Sequence, residues 1–160
     1  MSVVFSEAAR AEFERLLSRY PDRRAVILPA LHLAQREFGY LSDEAILYVA
    51  ELTGASPAEI EGVATFYTMY NRKPVGKYHL QICRNLSCSL LGAERLIGHV
   101  SEKLGIRPGE TTPDGRFTLS VVECLGSCGT APVMQVNDDY HENLTVESVD
   151  AVLDKLRSEE

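Results

Sequence analysis

Four cysteines fall in two pairs, Cys83 with Cys88 in CRNLSC and Cys124 with Cys128 in CLGSC. The pattern is C-x4-C, then 35 residues, then C-x3-C. Four chemistries use cysteines in this way: a structural disulfide, a redox dithiol, a zinc site and an iron–sulfur cluster. Structural zinc favours C-x2-C knuckles, whose tight turn aims both sulfurs at one ion, and neither pair has that spacing. A thioredoxin-type dithiol wants C-x-x-C at the start of a helix, and the chain has none. A cluster of two irons and two sulfides is larger than a single ion, so wider and unequal spacings suit it, and soft thiolates select it. The histidine-containing Rieske variant is disfavoured because Arg84 follows Cys83 and Leu125 follows Cys124, so ligation is expected to be all-cysteine. On spacing alone a [2Fe–2S] cluster is favoured, with zinc, a disulfide or unligated thiols as the alternatives. Gly126 and Gly129 would let backbone amides approach sulfur, or would simply make the turn.

The composition narrows the choices. Without an export signal in MSVVFSEAAR the compartment is expected to be reducing, which disfavours a disulfide framework. The longest apolar stretch, Ala25 to Ala34, is too short to cross a bilayer, so neither a membrane span nor export is expected. A net charge of -7 over 160 residues argues against a nucleic-acid partner. His32, His79, His99 and His141 share no spacing and are read as packed or solvated side chains rather than ligands. No nucleophile–base pair, phosphate loop or nucleotide-binding pattern is present, so no catalytic residue is assigned.

The elements that must position the cysteines come in two blocks. The first reads as helices: Ser6 caps a segment carrying Phe13, Leu16 and Leu17, and Asp22 to Phe38 follows with Ile27, Leu31 and Ala34 at helical spacing. Pro29 is expected to kink or restart that helix. Ser42 caps DEAILYVAELT, and Ser56, Pro57 and Glu59 form a capping box. Phe66, Tyr67 and Tyr70 are expected to pack in a core, and Arg72, Lys73 and Lys77 to be a solvated linker. The boundary is placed in NRKPVGK, giving a helical domain over 1–72 and a second domain over 73–160. There, strands are expected at YHLQIC, FTLSVVEC and PVMQVN, with helices at SLLGAERLIGHVSEKL and after Thr145. A β-α-β-β-(β)-α order suits a small mixed sheet covered by helices, the thioredoxin-like arrangement among others, so the expected fold class is α+β, a helical bundle followed by an α/β domain. Two strands ending at one sheet edge would deliver both cysteine pairs to one place.

DGRFTLSVVECLGSCGTAP, together with GVATFYTMY and ICRNLSCSLLGAE, resembles the thioredoxin-like [2Fe–2S] subunit of respiratory complex I. The resemblance runs over nearly the whole chain. It implies that Cys83, Cys88, Cys124 and Cys128 ligate a [2Fe–2S] cluster, and that the partner is the flavin- and NADH-binding subunit of the same complex. It also implies a non-autonomous component of an NADH–quinone oxidoreductase, on the cytoplasmic, peripheral side of a membrane-bound complex. Related chains occur in NAD-linked hydrogenases and formate dehydrogenases, so those parents, and a free-standing ferredoxin, are the alternatives.

Overall fold

Local sequence signals set most of the helix ends. The structure, a computed structural model, describes residues 3–159, so residues 1, 2 and 160 of the two expected domains lie outside the described residues. The chain divides into two compact units between Pro74 and Val75.

In the first unit α1 spans Glu7–Leu17, and the Ser6 side chain accepts from the Ala9 amide at 3.2 Å. A 3-10 turn at Arg24–Val26 leads into α2, Ile27–Phe38, so the expected single helix from Asp22 is two pieces. Pro29 sits in the first turn of α2, where its missing N–H removes no helix bond, and no kink is needed. Helix α3, Asp43–Thr53, starts at Ser42 and stops at Gly54, which is left-handed at φ 72°. Helix α4, Pro57–Phe66, starts at Ser56. The expected capping box there is only half formed. Ser56 accepts from the Glu59 amide at 3.3 Å, but the Glu59 carboxylate turns to Arg24, whose Nε donates to it at 3.0 Å. Phe13, Leu31, Leu41, Val49 and Ile60 form the centre of this unit's core.

Two expectations about this unit change. Tyr70 is buried and its hydroxyl donates to Leu28 O at 2.9 Å, but Phe66 is 77% exposed because α4 packs through Ile60 and Ala64 instead. Arg72 is no solvated linker residue: it pairs with Asp43 at 2.8 Å and Glu61 at 2.9 Å, tying the chain after α4 back to α3.

The second unit holds β1 (Tyr78–Cys83), α5 (Leu86–Leu90), α6 (Ala93–Leu104), β2 (Phe117–Val122), β3 (Met134–Val136), β4 (Asp139–His141) and α7 (Val146–Ser158). The sheet order is β2-β1-β3-β4. Strands β1 and β2 run parallel, with α6 in the crossover, while β3 is antiparallel to both β1 and β4. Alternation along β1 puts Tyr78, Leu80 and Ile82 into one apolar cluster with Leu96 and Val100 of α6 and Val149 and Leu153 of α7. The opposite face is polar: His79 of β1 meets Ser120 of β2 at 2.7 Å. The expected helix from Ser89 to Leu104 is broken, because Gly92 is left-handed at φ 97° and separates the short α5 from α6.

Candidate functional site

Strands β1 and β2 end together. Their register sets Tyr78 opposite Phe117 and, at the other end of the pair, Cys83 opposite Val122, so the chain leaves both strands at the same edge. The Arg84 amide continues the ladder by donating to Val122 O at 3.0 Å, and the Cys83 thiol donates to Glu123 O at 3.4 Å. Cys83 is therefore the buried last residue of a central strand, flanked by β2 and β3.

Cys88 lies one step further along, in α5 rather than in a loop. Asn85 caps that helix by accepting from the Leu86 amide at 2.7 Å, and this turn directs Cys88 inward while Leu86, Leu90 and Leu91 remain exposed. Burial, then the neighbouring Cys83 thiol, pushes the Cys88 thiol up to about 11; the Val133 amide acts the other way. As a free thiol Cys88 thus keeps its proton at neutral pH. Cys83, Cys88, Ala93, Ala131 and Val133 form a small apolar cluster of their own, with Leu125 against it.

The other pair sits at the surface. Cys124 follows β2 by two residues, and Cys128 opens a 3-10 turn, Cys128–Thr130, that packs against α5. Gly126, left-handed at φ 77°, turns the chain so that its amide donates to Cys124 Sγ at 3.4 Å, an approach expected of this glycine; no such bond is formed by Gly129 among the described residues. The 3-10 turn ends at the cis peptide bond Ala131–Pro132, after which Val133 O accepts from the Cys83 amide at 3.1 Å. None of the four cysteines is paired in a disulfide.

The structure thus gathers β1, α5, the segment after β2 and the 3-10 turn at one edge of the sheet. The donors there are four thiols, two buried and two exposed, lined by small apolar side chains and backbone amides. Among the described residues no group of three or more His, Cys, Asp or Glu side chains is drawn together as a one-ion site. The donor chemistry fits thiolate-bound iron, which soft sulfur ligands and amide donors favour. Of the histidines, His79 is buried against Ser120 and His99 pairs with Asp150 at 2.7 Å, so neither belongs to this edge.

Sequence reasoning missed the residues that hydrogen-bond to the segment carrying the exposed pair. Glu142 accepts from the hydroxyls of Ser127 and Thr130, the latter at 2.6 Å, and the Tyr140 hydroxyl donates to Leu125 O at 2.8 Å. Their only sequence signal was a polar stretch after a short strand.

A mixed sheet whose inner strand β1 runs parallel to its edge neighbour β2, a crossover helix and thiols at the strand ends define a thioredoxin-like, thiol-bearing module. Comparison with known proteins makes the class particular. Residues 13–157 match the family described as thioredoxin-like [2Fe-2S] ferredoxin, and the chain belongs to that family. Its cofactor is a [2Fe–2S] cluster. The chain is 52% identical over 151 residues to an NADH-quinone oxidoreductase subunit of Rhizobium meliloti, covering 94% of this chain and 90% of that one. It is 51% identical over 148 residues to NADH-quinone oxidoreductase subunit 2 of Thermus thermophilus, covering 91% and 82%. Among solved structures it resembles an NAD+-reducing [NiFe]-hydrogenase at TM-score 0.72 and 25% identity, covering 83% of this chain but only 23% of the hydrogenase chain. The expected α+β, thioredoxin-like fold and the expected cluster are both borne out.

Proposed function

We propose that this chain is the [2Fe–2S] electron-transfer subunit of an NADH-quinone oxidoreductase, with Cys83, Cys88, Cys124 and Cys128 as the cluster ligands. In this reading it exchanges single electrons with the flavin of a partner, the flavin- and NADH-binding subunit of the same complex. The observation that carries it is the in-register parallel pair β1–β2, whose common end delivers two cysteine-bearing segments to one edge. Likeness along most of the chain to subunits of NADH-quinone oxidoreductases supports the choice of parent.

When bound, a [2Fe–2S] cluster supplies a one-electron couple. The chain's own residues do the rest. Cys83 and Cys88 present sulfur from a water-poor setting, whereas Cys124 and Cys128 present it from the surface, on the side where another cofactor could approach. The Gly126 amide donates to Cys124 Sγ, and an amide bond of this kind to a ligand sulfur would raise the potential of a bound cluster. Loading displaces the Cys88 proton, since only the thiolate binds metal. Hydride chemistry is left to the partner, and this chain alone has no NADH oxidase activity. Among the described residues no helix is long and apolar enough to cross a membrane. A peripheral place on the cytoplasmic side of a membrane-bound assembly is proposed from the likeness to NADH-quinone oxidoreductase subunits.

The test is purification from the native host under anaerobic conditions. Expected are about two irons and two sulfides per chain, a paramagnetic signal that appears only on reduction, and co-purification with a flavoprotein through which NADH reduces the cluster. One zinc per chain, or NADH oxidation by the isolated chain, overturns the reading. The likeness to the NAD+-reducing hydrogenase favours a second parent, the equivalent diaphorase component of such an enzyme. A hydrogenase subunit in the co-purified complex, in place of quinone-side subunits, selects it.

A further inference from the structure

The loop that carries Cys124 and Cys128 has little regular structure of its own. Its internal backbone-donated bonds are the Gly126 amide to Cys124 Sγ at 3.4 Å and the Thr130 amide to Ser127 O at 3.2 Å. From Leu125 to Thr130, hydrogen bonds to the rest of the chain run, among the described residues, to one segment only, Tyr140 to Asn143. Tyr140 donates its hydroxyl to Leu125 O at 2.8 Å, the Asn143 amide donates to Thr130 O at 2.7 Å, and Glu142 Oε1 accepts from both Ser127 and Thr130. The two hydroxyls are themselves 2.8 Å apart, so one carboxylate oxygen bridges the residues on either side of Cys128 and Gly129. Charge-assisted bonds of this kind are roughly twice as strong as neutral ones.

From this geometry we propose that Glu142 and Tyr140 are positioning residues, which hold the C-x3-C loop in the one conformation that offers Cys124 and Cys128 to the cluster. The inference rests on the cluster-ligand reading above. Tyr140 fixes the loop's entry at Leu125, and Glu142 fixes its exit around Cys128. Both are carried by β4 or the residue just beyond it, so the brace is anchored through β3 to the central strand that ends in Cys83. The sheet thereby sets the distance between the buried and exposed cysteines. The hydrogen bonds from Ser127 and Thr130 also hold the Glu142 carboxyl below its ordinary range, so the acceptor is ionised throughout neutral pH.

The experiment uses the full chain in two states. In the metal-free chain, amide hydrogen exchange is followed at Gly126, Thr130 and Asn143, with β1 and β2 amides as the internal control for global unfolding. Glu142→Ala is expected to speed exchange at the loop amides about threefold or more and leave the strands unchanged. Tyr140→Phe should do the same nearer Gly126, while Glu142→Gln, which keeps an acceptor, should restore most of the protection. Ser127→Ala, made from the other end of the bridge, should be non-additive with Glu142→Ala. In the loaded chain, the time for a strong iron chelator to bleach the visible absorption should shorten severalfold in Glu142→Ala and recover in Glu142→Gln. Unchanged exchange and unchanged bleaching in Glu142→Ala overturn the proposal while leaving the cluster ligands standing. Faster loop exchange in a chain whose wild type never binds iron keeps the brace, but overturns its role in holding a cluster.

Discussion

Cys83 and Cys88 are buried, whereas Cys124 and Cys128 are exposed, and this asymmetry separates the four proposed ligands by what their loss would do. Replacing Cys124 by serine exchanges one solvated group for another. The metal-free chain should keep its stability to within about 0.5 kcal/mol, read by urea unfolding, while iron content or the paramagnetic signal changes. Cys88→Ser places a hydroxyl in an apolar cluster and should cost about 1–3 kcal/mol in the same assay, besides loss of iron. Equal costs at the two positions would contradict the burial asymmetry. His79 gives a pH dependence with a definite sign. Burial lowers its pKa in the folded chain, so the unfolded chain binds the extra proton first. Its contribution to stability is fully present above the unfolded value near 6.5 and is lost as pH falls through that value toward the folded one. The urea midpoint should therefore drop between about pH 7.5 and about pH 5.5, and drop less in His79→Gln.

At the scale of elements, two short signals decide how the second unit is built. Gly92 ends α5 and starts α6 with a left-handed residue, which keeps the Cys88 helix short and separate. An alanine there must adopt the same backbone at a cost of about 1–2 kcal/mol, or fuse the two helices and turn Cys88 away. Gly92→Ala is expected to lower the unfolding free energy by that amount, and to retain the cluster only if the left-handed turn survives. Circular dichroism separates the outcomes, since fusion would raise helix content. At the start of α7 the box is complete: Thr145 accepts from the Ser148 amide at 3.2 Å and Ser148 Oγ accepts from the Thr145 amide at 2.9 Å. Thr145→Ala should cost about 1 kcal/mol, seen as a lower thermal midpoint with cluster content unchanged, because α7 covers the sheet far from the thiols in sequence.

The whole molecule consists of two units with separate cores, one centred on Leu31, Val49 and Ile60 and the other on Leu80, Leu119 and Leu153. All four cysteines lie in the second. We propose that residues 73–160 form an autonomous domain, since a chain segment with its own core can fold alone. That fragment is expected to unfold in one cooperative transition and to bind the same iron and sulfide per chain as the full protein. A folded fragment without iron would mean that the helical unit helps build the site. The start of the second unit is constrained at Gly76: a methyl group added there would stand 2.9 Å from the backbone of Arg116 and from Gly115 O. Gly76→Ala should therefore destabilise the second unit, because backbone on a sheet edge cannot move aside as a side chain can.

Much of this protein was local, and so legible in its sequence. Cysteine type and spacing favoured a [2Fe–2S] cluster over the alternatives, YHLQIC after its Pro and Gly break read as a strand, and Ser6, Ser42 and Thr145 marked helix starts, because each signal acts over a few residues. What needed the tertiary structure were the partners brought from far along the chain. Glu59 abandons its local cap for Arg24, 35 residues away, and Arg72 leaves the linker for Asp43, 29 residues away. Cys83 meets Val122 only through strand register, and the Cys124–Cys128 loop meets Glu142 only through the β3–β4 hairpin. Periodicity and capping report the bonds a segment makes with itself. Which distant group completes a charge, a hydroxyl or a metal site is decided by the packing of elements, which no short window of residues contains.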